Sequence, residues 1–62
     1  MANLLSEVQA AKILGLTIHA LRKWRNQEKG PVYHRIGGAV RYSESDIEEF
    51  VKASRVDPKA SA

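Results

Sequence analysis

Between Lys12 and Tyr42 the chain carries seven basic residues, Lys12, Arg22, Lys23, Arg25, Lys29, Arg35 and Arg41, against a single acid, Glu28. From Ser43 onward the balance reverses, with five acids against three bases. The formal net charge of +3 therefore conceals a basic middle and an acidic end, and that asymmetry directs the middle toward a polyanion. The residue types suit such a partner. An arginine forks onto a phosphate or onto the O6 and N7 of guanine, and an asparagine pairs with adenine. Two blander readings stand beside this one: a basic face that is only solvated, and a basic face that docks an acidic protein.

Other chemistries find less support. There is no cysteine, and the two histidines, His19 and His34, are too few to hold a structural zinc. Ser6, His19 and Asp46 can be named as a triad, but 62 residues offer no deep cleft and no oxyanion arrangement to go with them. The expectation is a binding protein with no catalysis, cofactor or metal. No apolar run approaches the roughly 18 residues of a membrane span, and the N-terminus has neither the basic region nor the hydrophobic segment of a signal peptide. A cytoplasmic protein without membrane contact is expected.

The basic residues need elements to hold them. Ser6 followed by Gln9 makes a capping-box pattern, with Leu5 placed to staple onto Ala10, so the spacing predicts a first helix over Glu7 to Leu14. Val8, Ala11 and Leu14 share its apolar face, and Gly15 supplies the left-handed residue that ends it. Thr17 caps a second helix only two residues later. So short a glycine-centred connection joins two helices at a steep angle, the arrangement of a helix-turn-helix. Leu21 and Trp24 point inward, Leu16 anchors the turn, and His19, Arg22, Lys23 and Asn26 are left on the outward side. Arg25 is placed to cover the indole of Trp24 with its stem. Ile18 is apolar on the outer side, where it touches a thymine methyl, packs under the hairpin that follows, or does nothing.

Gly30-Pro31 stops the second helix, and "VYHRIGGAVRY" (Val32 to Tyr42) reads as a hairpin around Gly37-Gly38. Its register admits two solutions. A two-residue Gly-Gly loop pairs Ile36 with Ala39 and puts Arg35 on the face of Val40 and Tyr42, beside the core. A three-residue loop, Gly37-Gly38-Ala39, pairs Ile36 with Val40, gathers Ile36, Val40 and Tyr42 on one face, and sets Arg35 and Arg41 together on the other. The second is preferred here because it spares a charge from burial. Ser43 then caps a third helix with Asp46 at its third position, and Ile47, Phe50 and Val51 form the buried stripe. The domain is expected over residues 1–54, with 55–62 as a small, polar tail that frays.

The sum is mostly α with a β-hairpin wing: a single small winged helix-turn-helix domain. A major groove about 12 Å wide admits one helix, with the hairpin beside it on the backbone or minor groove. The segments "AAKILGLT", "LRKWR", "GP" before an aromatic, "RIGG" and "VRY" before a capped helix resemble the excisionase-type, or AlpA-like, small winged helix-turn-helix proteins. These are related to the MerR-like DNA-binding domain, and the likeness runs over residues 4–51. The resemblance implies double-stranded DNA as partner. It assigns major-groove contact to Thr17, His19, Arg22 and Lys23, with Asn26 added from its position on the helix, and wing contact to Arg35 and Arg41. The family commonly has a polar residue at Ile18. The resemblance also implies either excision from a phage or mobile element, with an integrase or neighbouring copies as partners, or transcription regulation at promoters. The long dimerisation helix and effector domain of MerR regulators have no counterpart here, so no small-molecule effector is expected.

Overall fold

Ser6 starts the first helix as its spacing predicts. Its hydroxyl accepts from the Gln9 amide at 3.2 Å while the Gln9 side chain accepts from the Ser6 amide at 2.9 Å. Two otherwise unpaired donors are thereby satisfied. The computed structural model describes residues 3–61, with side chains described through residue 59. In chain order its elements are strand β1 (Leu4–Leu5), helices α1 (Glu7–Leu14) and α2 (Ile18–Asn26), the hairpin of β2 (His34–Ile36) and β3 (Ala39–Ser43), helix α3 (Glu44–Ala53), and a final helical turn α4 (Pro58–Ser61).

Gly15 ends α1 with φ 69°. Its amide donates to Lys12 O and that of Leu16 to Ala11 O, the pair of hydrogen bonds that closes a helix through a left-handed residue. Thr17 Oγ1 then accepts from the Ala20 amide at 3.1 Å and begins α2. That helix closes earlier than Gly30-Pro31 suggests. Glu28 adopts φ 57°, the Glu28 amide donates to Arg25 O, and the Lys29 amide donates to Trp24 O at 2.7 Å. Gly30 has a separate task, since a Cβ there would lie 3.2 Å from Trp24 Cε3, and its φ of 85° disfavours any side chain. Gly30→Ala is therefore expected to destabilise by more than about 1 kcal/mol. Each kcal/mol should appear as a fall of about 4–8 °C in the thermal midpoint.

The sheet is antiparallel in the order β1-β3-β2. Strand β1, too short to show an alternating pattern in the sequence, pairs Leu4 with Ser43 and Leu5 with Tyr42. In the hairpin, Ile36 faces Ala39, Arg35 faces Val40 and His34 faces Arg41. The expected three-residue loop is thus corrected to the two-residue Gly37-Gly38 loop. Both glycines take positive φ, 56° and 89°, the pattern of the two-residue turn whose twist matches that of the flanking strands. The two-residue register buries no charge, because the Arg35 end of the hairpin reaches past the core. Val40 is buried, yet Arg35 opposite it is exposed. Arg35 and Arg41 therefore project from opposite faces, and Ile36 lies on the outer one, half exposed.

The core consists of Leu5, Ala10, Ala11, Leu21, Val40, Tyr42 and Ile47, with Leu14 packed against it. Besides Ile36, two expected core positions are corrected. Val8 is exposed because α1 turns Ala10 and Ala11 toward the core, and Val51 is exposed while Ile47 and the half-buried Phe50 carry the inner stripe of α3. Trp24 sits at the edge, its ring 5.8 Å from that of Phe50. Ser43 caps α3, accepting from the Asp46 amide at 3.1 Å and donating to Asp46 Oδ2 at 2.8 Å.

Candidate nucleic-acid interface

The N-terminus of α1, the outer side of α2 and the wing enclose an open groove of about 530 Å³. Four arginines, Arg22, Arg25, Arg35 and Arg41, line it together with one carboxylate, Glu7. The local chain geometry explains how they meet. Arg22 and Arg25 stand three apart on α2 and so share a side of the helix, while the two-residue turn swings Arg35 to the Val40 face that looks across at them. Ile18, half-buried, lines the floor with Val8 and Val40.

Glu7 organises the cationic side. Its Oε1 lies 2.6 Å from Arg25 Nη1, and its Oε2 accepts from Arg22 Nε at 3.2 Å and Nη2 at 3.0 Å. Partial burial acts to raise the Glu7 pKa, but the hydrogen bonds and charges of Arg22 and Arg25 outweigh it and hold the carboxyl below its ordinary value. Arg25 also donates to the Tyr42 hydroxyl at 3.4 Å, and its guanidinium carbon stands 5.7 Å from the centre of the Tyr33 ring. The expected cover of Trp24 by Arg25 is replaced by this anchorage between α1 and β3. With only 14% of its side chain exposed, Arg25 is a strut of the groove wall.

The remaining sequence candidates fall into two groups. Thr17, His19, Lys23 and Asn26 are exposed along α2 outside the groove, with the Thr17 hydroxyl occupied by the cap. His19 and Lys23 are one turn apart and so form a polar ridge beside Arg22. Arg35 is exposed on the wing, and Arg41, half-buried, donates from Nη1 to Val40 O at 2.8 Å. The structure thus brings Arg22, Arg35 and Arg41 to one groove and leaves His19, Lys23 and Asn26 on its shoulder. Sequence reasoning missed Glu7, whose partners lie 15 and 18 residues away, and nothing in local spacing signals such a pair.

Among the described residues there is no group of three or more histidine, cysteine, aspartate or glutamate side chains able to hold a metal, and no helix is long and apolar enough to cross a membrane. No curated protein matches the sequence at a significant level. A family model described as a helix-turn-helix domain matches residues 4–55, every element from β1 through α3. That family includes small DNA-binding domains of the excisionase and AlpA-like kind. With two capped helices joined through Gly15, a wing beside them and a match over most of its length, the chain belongs to the helix-turn-helix domain family and is a DNA-binding domain.

Proposed function

We propose that the protein binds a specific double-stranded DNA sequence and acts architecturally, by binding alone, as an excisionase at attachment sites of a phage or mobile element. The observation that carries the DNA face is the arginine-lined groove between α2 and the wing. In this reading α2 enters the major groove, where Thr17, His19, Arg22, Lys23 and Asn26 reach base edges or flanking phosphates, and Arg35 and Arg41 hold the backbone beside it. The free amides at the start of α2 favour a phosphate at the helix N-terminus. An excisionase would act beside an integrase or further copies of itself. A small transcription regulator of the AlpA-like kind uses the same face, and the family match accommodates both.

Selection of bound sequences from random duplex DNA, mapped onto the host replicon, tests the proposal. Enrichment of attachment-site arms supports excision, and enrichment of promoters supports regulation. Binding with no preferred sequence removes the specific-recognition reading and favours a basic face that docks an acidic protein. Within the selected site, Arg22→Ala is expected to weaken binding by about 1–3 kcal/mol and to relax preference at one or two base pairs. An equal loss on every sequence reassigns Arg22 to phosphate.

A further inference from the structure

Glu7 is the one acid in a groove lined by four arginines, and both of its oxygens are engaged. The bonds to Arg22 use one particular edge of the guanidinium, the side formed by Nε and Nη2. A guanidinium offers a second two-donor edge, Nη1 with the outer hydrogen of Nη2, and that edge stays available. Roughly half of the Arg22 side chain is exposed, against 17% for Glu7. The carboxylate therefore lies behind the arginine, and the arginine faces outward.

We propose that Glu7 is a specificity-determining residue for DNA recognition, fixing the edge that Arg22 presents and offsetting part of its charge so that a base edge is favoured over a phosphate. The inference rests on the reading of α2 and the wing as the DNA face. Its physical basis is the difference between the two kinds of acceptor. A phosphate is an anion, so its attraction to Arg22 falls when a carboxylate sits beside the guanidinium, and it is itself repelled by that carboxylate. The O6 and N7 of guanine are neutral, and their hydrogen bonds depend on the fork being correctly presented. Glu7 thus weakens the sequence-independent contact more than the sequence-reading one. Discrimination between partners can come from such repulsion as well as from attraction. The contact between Glu7 and Arg25 keeps the carboxylate in place when Arg22 engages DNA, because Oε1 remains tied to a strut that Tyr42 also holds.

The test compares Glu7→Gln, Arg22→Ala, Arg22→Lys and the Glu7→Gln/Arg22→Ala pair. Affinities are measured over a range of salt for the duplex recovered by selection and for a shuffled duplex. Glu7→Gln is expected to tighten binding to the shuffled duplex, to steepen its log affinity against log salt by up to about 0.9, the value of one added phosphate contact, and to lower the ratio of selected to shuffled affinity about tenfold, near the lower end of what one bidentate base contact discriminates. In the Arg22→Ala background the same substitution should leave the ratio unchanged. Arg22→Lys, which keeps the charge but cannot fork, should lower the ratio without disturbing the bond between Glu7 and Arg25, and so answers even if Glu7→Gln loosens the fold. The proposal is overturned if Glu7→Gln changes both affinities by the same factor, if it lowers the ratio equally without Arg22, or if Arg22→Lys retains the original ratio. If Arg22→Ala leaves both affinities untouched, the DNA face lies elsewhere and the proposed function falls with the inference.

Discussion

Tyr42→Ala is expected to leave most of the protein unfolded at 25 °C. Tyr42 is 1% exposed and is, with Leu21, one of the two largest fully buried side chains. It pairs with Leu5 across the sheet, stands 6.1 Å from the Tyr33 ring and receives the Arg25 hydrogen bond. Truncating a buried aromatic costs about 3–5 kcal/mol, which matches the whole stability that a core this small supplies, about 3–5 kcal/mol. A urea titration should then show no folded baseline, and DNA binding should disappear with it. Tyr42→Phe separates packing from the hydroxyl. It keeps the ring and loses one long hydrogen bond, so a loss of no more than about 1 kcal/mol is expected. A cooperative transition retained by Tyr42→Ala near the original midpoint would show that the sheet and helices are held together elsewhere.

What the sequence revealed of this fold is what neighbouring residues decide. The start and end of α1, the Gly15 turn and the caps at Thr17 and Ser43 each depend on groups within five residues of one another, and all of them are legible as patterns. The misread features depend on contacts between distant elements. Val8 has the right spacing to be buried, but the side of α1 that faces β3 and α3 is the one carrying Ala10 and Ala11. The hairpin register follows the same logic. Pattern alone treats every residue opposite Val40 as internal, whereas the length of the wing beyond the core is a tertiary fact that leaves Arg35 in the open. At the candidate site the basic residues were visible as a charge imbalance, but the division between a strut, Arg25, and an outward-facing reader, Arg22, comes only from where Glu7 lies.

Removing both wing arginines is expected to flatten the salt dependence of DNA binding by nearly two units of log affinity per unit of log salt. Each phosphate contact releases counterions worth about 0.9 of that slope. The two-residue turn makes the prediction sharper than a shared face would. Arg35 and Arg41 leave the hairpin from opposite faces and both line the groove, Arg41 by folding back onto Val40 O, so a wing lying along the backbone sets the two guanidiniums on separate phosphates. Arg35→Ala and Arg41→Ala should consequently each remove about 0.9, and their effects should add. Stability should move by no more than about 0.5 kcal/mol, since Arg35 is exposed and Arg41 bonds only the carbonyl of the residue before it. The order of preferred sequences should survive, because phosphate contacts fix position while base contacts carry the sequence. If the double variant loses no more slope than one single variant, the arginines share a phosphate and the wing meets the backbone end-on. If preference shifts at an A·T-rich flank instead, the wing lies inside the minor groove, where an inserted arginine responds to groove width as well as to charge.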